Sequence, residues 1–183
     1  CYFVYSLNQK GQSLLIFCLQ FGESGILKPR QQRRKEDCNM KNYDKLNVYL
    51  SNLAVLNANL HNLHWNVVGK QFVQVHEFTE ALYDDFFEKY DAVAEMLKMK
   101  GKKPLVKLSE YLNTASIKEL DGDRFTVEET LKIVKDYLVE MKKLATEIRN
   151  EADEDGDFEV VAEFEGHVAG YSKNIWFIEA MLA

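Results

Sequence analysis

From Met40 onward, apolar residues recur at helical spacing in four separate stretches, and no other feature constrains the fold of this chain so strongly. Leu46, Leu50, Leu53, Leu60 and Val67 trace the first stripe, with Asn57 and His64 completing it. The pattern predicts a helix that stops at Val68-Gly69, because glycine ends helices readily. A second stripe begins near Phe72 and runs through Val75, Phe78, Leu82, Phe86, Val93 and Leu97; Gly101 to Pro104 ends it. A short helix is expected around Ser109 to Asn113. Thr126-Val127-Glu128-Glu129 fits a capping box, so a third helix opens there. Ile133, Tyr137, Met141, Leu144 and Ile148 are its expected apolar face, and it is expected to dissolve into EADEDGD, residues 151–157. Asp157 can cap a fourth helix carrying Val161, Phe164, Val168, Tyr171, Ile175, Ile178 and Leu182. Four helices of about 20 to 28 residues imply an all-α antiparallel four-helix bundle. A short extra helix then breaks the long connection between the second and third.

The bulk properties agree with one core. The chain has 183 residues, 46% of them hydrophobic, which is enough for a single domain. No apolar run approaches the ~20 residues a membrane helix needs. The three cysteines, Cys1, Cys18 and Cys38, all precede Met40, which fits a cytoplasmic body without disulfides. Residues 1–39 hold six of the 23 Lys/Arg and three of the 29 Asp/Glu. The remainder therefore has 17 basic and 26 acidic residues, a net of −9. Such a body repels nucleic acid and attracts cations.

Residues 1–39 show no sustained helical or alternating pattern. One permitted codon set for Lys35-Glu36-Asp37 is AAG-GAG-GAT, which contains a bacterial ribosome-binding sequence shortly before the Met40 codon. Residues 1–39 are therefore expected to be a non-native or disordered extension, read in frame from upstream DNA, and residues 40–183 the domain. The alternative is a genuine extension in which KPRQQRRK serves as a basic arm.

Three of the four histidines fall within residues 61–80. His64 lies on the first stripe. His76 and Glu80 are four apart and share a face of the second helix, as do Asp91 and Glu95. Imidazole with carboxylate suits ferrous iron, zinc or manganese. Yet Glu80 and Asp91 are separated by roughly 16 Å along a helix, at about 1.5 Å per residue. Either the two pairs serve separate sites, or two chains pack these helices antiparallel so that a two-fold axis joins one chain's His76 and Glu80 to the partner's Asp91 and Glu95. A hydrogen-bonded core histidine and a solvated carboxylate pair remain the plain alternatives. His61, one turn before His64, is read as a supporting residue or simply an exposed one. His167, with Glu163 one turn before it, is read as half of a solvated pair. No histidine has glutamate three residues before it, which disfavours a di-iron core within one chain.

The stretch HWNVVGKQFVQVHEFTEALYDDFFEKYDAVAEMLKMKGKKP strongly resembles the signature of the Dps-like miniferritins. Its features are His-Trp, a glycine, a second histidine twelve residues after the first, an acid four later, and Asp-x-x-x-Glu ahead of Gly-x-x-Pro. The likeness runs from about Met40 to the end. It implies a ferritin-like subunit, a hollow dodecamer, and ferroxidase sites at two-fold interfaces. Carried over by position, His64, His76 and Glu80 of one chain and Asp91 and Glu95 of the other would bind the iron. Family members usually have aspartate where this chain has Glu80. Trp65 resembles the tryptophan beside the family's iron site, a likeness that implies a role in intercepting radicals, and His61 is grouped with it. The resemblance also implies the chemistry: hydrogen peroxide oxidises Fe(II), and Fe(III) is stored as mineral. Asp153, Asp155, Asp157 and Glu163 are the candidate iron-access pore. DNA binding, the competing function, is not expected unless the basic extension is genuine; a plain helical interaction domain is the third reading.

Overall fold

The computed structural model describes residues 43–183 and two short strands, β1 (Ser6–Leu7) and β2 (Ser13–Leu14). These strands pair antiparallel, Ser6 opposite Leu14 and Leu7 opposite Ser13. The expected boundary at Met40 and the basic KPRQQRRK arm lie outside the described residues.

The helical unit holds α1 (Tyr43–Asn66), α2 (Phe72–Met99), the short α3 (Leu108–Thr114), α4 (Val127–Asp155) and α5 (Phe158–Leu182). α1 packs chiefly on α2, and α4 on α5, while α1 also meets α4. This is the four-helix arrangement with a short helix between the second and third long ones. Its core is built on residues spaced three and four apart: Leu46, Tyr49, Leu50, Leu53, Leu56, Leu60 and Leu63 of α1 are all fully buried.

Three local expectations are corrected. α1 ends at Asn66, two residues early, because Val67–Val68 forms strand β3, paired in parallel with β4 (Phe125–Thr126). That pair ties the end of α1 to the start of α4, where Thr126 caps the helix with Glu129 as foreseen. The acidic run 151–155 is helical, not loop. Ala152 is fully buried there and Lys45 bonds Glu151 at 2.6 Å, so the helix continues until Gly156 turns left-handed at φ 72°. Asp157 then caps α5. The buried face of α4 is Leu131, Val134, Leu138, Met141, Ala145, Ile148 and Ala152. Met141 and Ile148 were assigned correctly, whereas Ile133, Tyr137 and Leu144 flank the core half-buried. α4 carries apolar residues beside its buried row as well as in it, so helical period alone does not separate Leu131, Val134 and Leu138 from the half-buried residues next to them.

The connection from α2 to α4 is held by asparagines of α1. Asn47 Oδ1 accepts from the Leu105 amide at 3.0 Å, and Asn52 Oδ1 from the Ser116 amide at 2.9 Å. Asn59 accepts from the Leu120 amide at 2.9 Å and donates to the Lys118 carbonyl at 2.9 Å. Asn62 donates to the carbonyls of Leu120 and Gly122, both at 3.1 Å. Side-chain amides thus satisfy backbone groups that a sheet or helix would otherwise pair. Asn59→Ala leaves an amide and a carbonyl unpaired in a buried place and is expected to cost about 2–3 kcal/mol, read as a lower urea midpoint at unchanged slope.

Candidate metal centre

His64 sits in the last turn of α1 and His76 in the second turn of α2, across the short turn at Gly69. Their rings stack with centroids 3.6 Å apart. Each imidazole uses the other's backbone: His64 Nδ1 donates to the His76 carbonyl, and His76 Nδ1 to the His64 carbonyl, both at 2.9 Å. Carbonyl partners place the proton on Nδ1, so Nε2 of each ring is the lone-pair nitrogen available to a metal. Fully buried Thr79 holds this turn, with Oγ1 2.9 Å from the carbonyls of Val75 and His76. One ligand atom each from His64, His76 and Glu80 lies within 4.8 Å of the others. Among the described residues this is the one group of three or more such side chains placed to hold a metal ion. Burial falls across it, from His64 at 6% exposure through half-buried His76 to exposed Glu80. Two imidazoles and one carboxylate on one side of an ion leave its other positions open, an arrangement that suits ferrous iron.

Asp91 and Glu95 are not part of this group within one chain. They lie exposed further along α2, one turn apart.

Aromatic rings border the centre. His61 is not merely exposed: it is half-buried, donates from Nδ1 to the Asn57 carbonyl at 2.7 Å, and stacks on Tyr83 at 3.9 Å. Tyr83 in turn meets His64 edge-on at 5.3 Å. Desolvation, then the nearby Glu80 and Asp84 carboxylates, raise the Tyr83 phenol above its ordinary pKa. Trp65 is 69% exposed, 5.4 Å from His61. Thr79 and Tyr83 escaped the sequence reading. The available signal was their position, three and seven residues after His76, on the face that turns toward α1.

The acidic run is largely committed to partners in its own chain. Asp153 bonds Arg149 at 3.1 Å, Asp157 bonds Lys100 at 2.7 Å while capping α5, and Asp155 is half-buried at the end of α4. Glu163 Oε1 accepts from His167 Nε2 at 3.1 Å. His167 is no solvated group: it is 4% exposed, and burial, with Lys89 adding to it, pushes its pKa down to about 3.

The comparisons with known proteins fall on this helical unit. A ferritin-like domain family matches residues 43–183. The chain belongs to the ferritin-like family, as a Dps-like miniferritin. It is 33% identical over 144 residues to the DNA protection during starvation protein of Helicobacter pylori, covering 79% of this chain and 100% of that one. The crystal structure of Helicobacter cinaedi CAIP is similar at a TM-score of 0.74 and 32% identity, over 76% of this chain and 97% of that one. A Dps crystal structure from Bacillus brevis gives a TM-score of 0.73 at 30% identity, over 86% and 100%. Among the described residues of this miniferritin no helix is long and apolar enough to cross a membrane.

Proposed function

We propose that this miniferritin oxidises ferrous iron with hydrogen peroxide at sites shared between two chains, and stores the ferric product inside a hollow dodecamer. Family membership supports iron storage and protection. The observation that carries the finer reading is the His64–His76–Glu80 cluster, whose two Nε2 lone pairs and one carboxylate form an incomplete ligand set at the surface. Asp91 and Glu95, exposed on the same helix, are the groups an antiparallel partner would supply. Residues 40–183 are the working unit in this reading.

Iron is the substrate. The reciprocal carbonyl bonds hold both rings through Nδ1 and leave Nε2 of each to ferrous iron. Two ferrous ions each give up one electron, the O–O bond of peroxide breaks, and two protons from solvent complete two waters. Pairing the electrons in one site avoids release of hydroxyl radical. Asp153 and Asp155 are the proposed pore acids; Asp157 and Glu163 take part through their position near the start of α5. DNA binding is not proposed for a body of net charge −9.

The test loads the full-length protein anaerobically with ferrous iron and adds peroxide, following ferric absorbance and spin-trapped hydroxyl radical. Oxidation near two irons per peroxide with little trapped radical is the expected result. Oxidation no faster than in buffer, with radical formed freely, would sink the reading.

A further inference from the structure

Away from the metal centre, the core contains a chain of four hydrogen-bonded titratable groups, of which only the outermost, Glu163, has a part in the proposed handling of iron. Tyr171 Oη lies 2.5 Å from Tyr49 Oη, and Tyr49 Oη lies 3.0 Å from His167 Nδ1. His167 Nε2 reaches Glu163 Oε1 at 3.1 Å. Both tyrosines are fully buried, and Glu163 is half-exposed, so the chain runs from the apolar interior to solvent. Only one set of proton positions satisfies every partner. Nε2–H of neutral His167 donates to the Glu163 carboxylate, Tyr49 donates to Nδ1, and Tyr171 donates to Tyr49. The surroundings are apolar and aromatic, with Phe164 edge-on to Tyr49 at 5.0 Å and Phe86 edge-on to Tyr171 at 5.9 Å. The nearby charges are Lys89, 5.9 Å from the Tyr171 ring and ion-paired with Asp85.

We propose that Tyr49 is a one-electron sink: a strong one-electron oxidant of the hydroxyl-radical class takes an electron from its phenol, and the phenolic proton moves to His167 Nδ1. The O–H bond breaks, an N–H bond forms, and the Nε2 proton passes to Glu163 and on to solvent. An oxidised phenol is a far stronger acid than a phenol, so even an imidazole that is hard to protonate accepts from it. Tyr171 keeps donating to the resulting neutral oxygen radical. Lys89 lies over Tyr171 rather than Tyr49, and a cation disfavours loss of an electron from the ring beside it. A thiol or a further ferrous ion returns the electron, and a proton comes back along the same chain. Burial keeps the radical from coupling to other chains or to solutes, so oxidising equivalents that escape the iron site end in a protected place.

A flash-generated ruthenium(III) polypyridyl oxidant tests this on the full-length protein without iron, so failure here is distinct from failure of the ferroxidase reading. A tyrosyl radical that outlives those of exposed tyrosines is expected by electron paramagnetic resonance. Tyr49→Phe should abolish the long-lived signal, and His167→Gln should slow its formation by about a hundredfold, the scale of losing a positioned proton acceptor. No long-lived radical in the wild type, an unchanged signal in Tyr49→Phe, or an unchanged rate in His167→Gln would each overturn the proposal. If Tyr49→Phe does not fold, the high-field spectrum of the wild type decides. A g-tensor shifted by a hydrogen bond supports the assignment, and one without that shift overturns it.

Discussion

Two inactive variants are expected to recover activity when assembled together. A chain carrying His64→Ala and His76→Ala should oxidise ferrous iron no faster than buffer, and so should one carrying Asp91→Ala and Glu95→Ala. Unfolded together in equal amounts and reassembled, they should regain about a quarter of wild-type activity. Random pairing makes half of the two-fold pairs mixed. Each mixed pair holds one site with both defects and one with neither, because the histidines of the second variant meet the acids of the first. The reason lies in one helix. Glu80 and Asp91 are eleven residues apart on α2, and a rigid helix holds them roughly 16 Å apart at about 1.5 Å per residue. No motion within the chain closes that gap. Ferric absorbance after peroxide addition reads the result. Activity that stays at the buffer level in the co-assembled sample, while wild type treated in the same way recovers, would exclude shared sites.

Phe164→Ala should produce the largest loss of stability among single core changes at the α1–α5 contact. Phe164 is fully buried, and its ring packs against both Tyr49 and His167 at 5.0 Å. Truncation removes the transfer energy of the ring and leaves a cavity, a loss of about 3–5 kcal/mol. It also strips packing from the polar chain Tyr171–Tyr49–His167, whose groups have no other solvent. Six residues earlier on the same helix, Phe158 is 75% exposed. Phe158→Ala should therefore change stability by no more than about 0.5 kcal/mol. Urea unfolding at fixed protein concentration compares them. Equal midpoints for the two variants would refute this assignment of the core.

How much of this was legible in the sequence depends on the range of the interaction. Helix existence was legible because burial of one face imposes a period of 3.6 on apolar residues, and α1, α2 and α5 show it plainly. The caps at Thr126 and Asp157 were legible for the same reason: a helix end needs an acceptor within three residues. The face of α4 was misplaced because apolar residues stand on both sides of its buried stripe: Ile133, Tyr137 and Leu144 flank Leu131, Val134 and Leu138, and periodicity alone does not say which row faces the core. The continuation of α4 through its acidic run depended on Lys45, about 106 positions away in sequence, which no local pattern reports.

The metal ligands divide in the same manner. Spacing alone put His76 with Glu80 and Asp91 with Glu95, since i and i+4 share a helical face whatever the tertiary structure. Bringing His64 onto His76 required α1 to pack against α2, and the carbonyl exchange that frees Nε2 exists only in that packed turn. The fate of His167 was decided by tertiary structure too. Beside Glu163 in sequence it looked like a solvated pair; facing Tyr49 and Tyr171 it is a buried neutral base. The sequence by itself determined the helices, their caps and the pairs of groups one turn apart, because those are set by backbone geometry over four residues. Only the tertiary structure decided which groups from different helices meet and which lose their water, because desolvation depends on everything packed around a side chain.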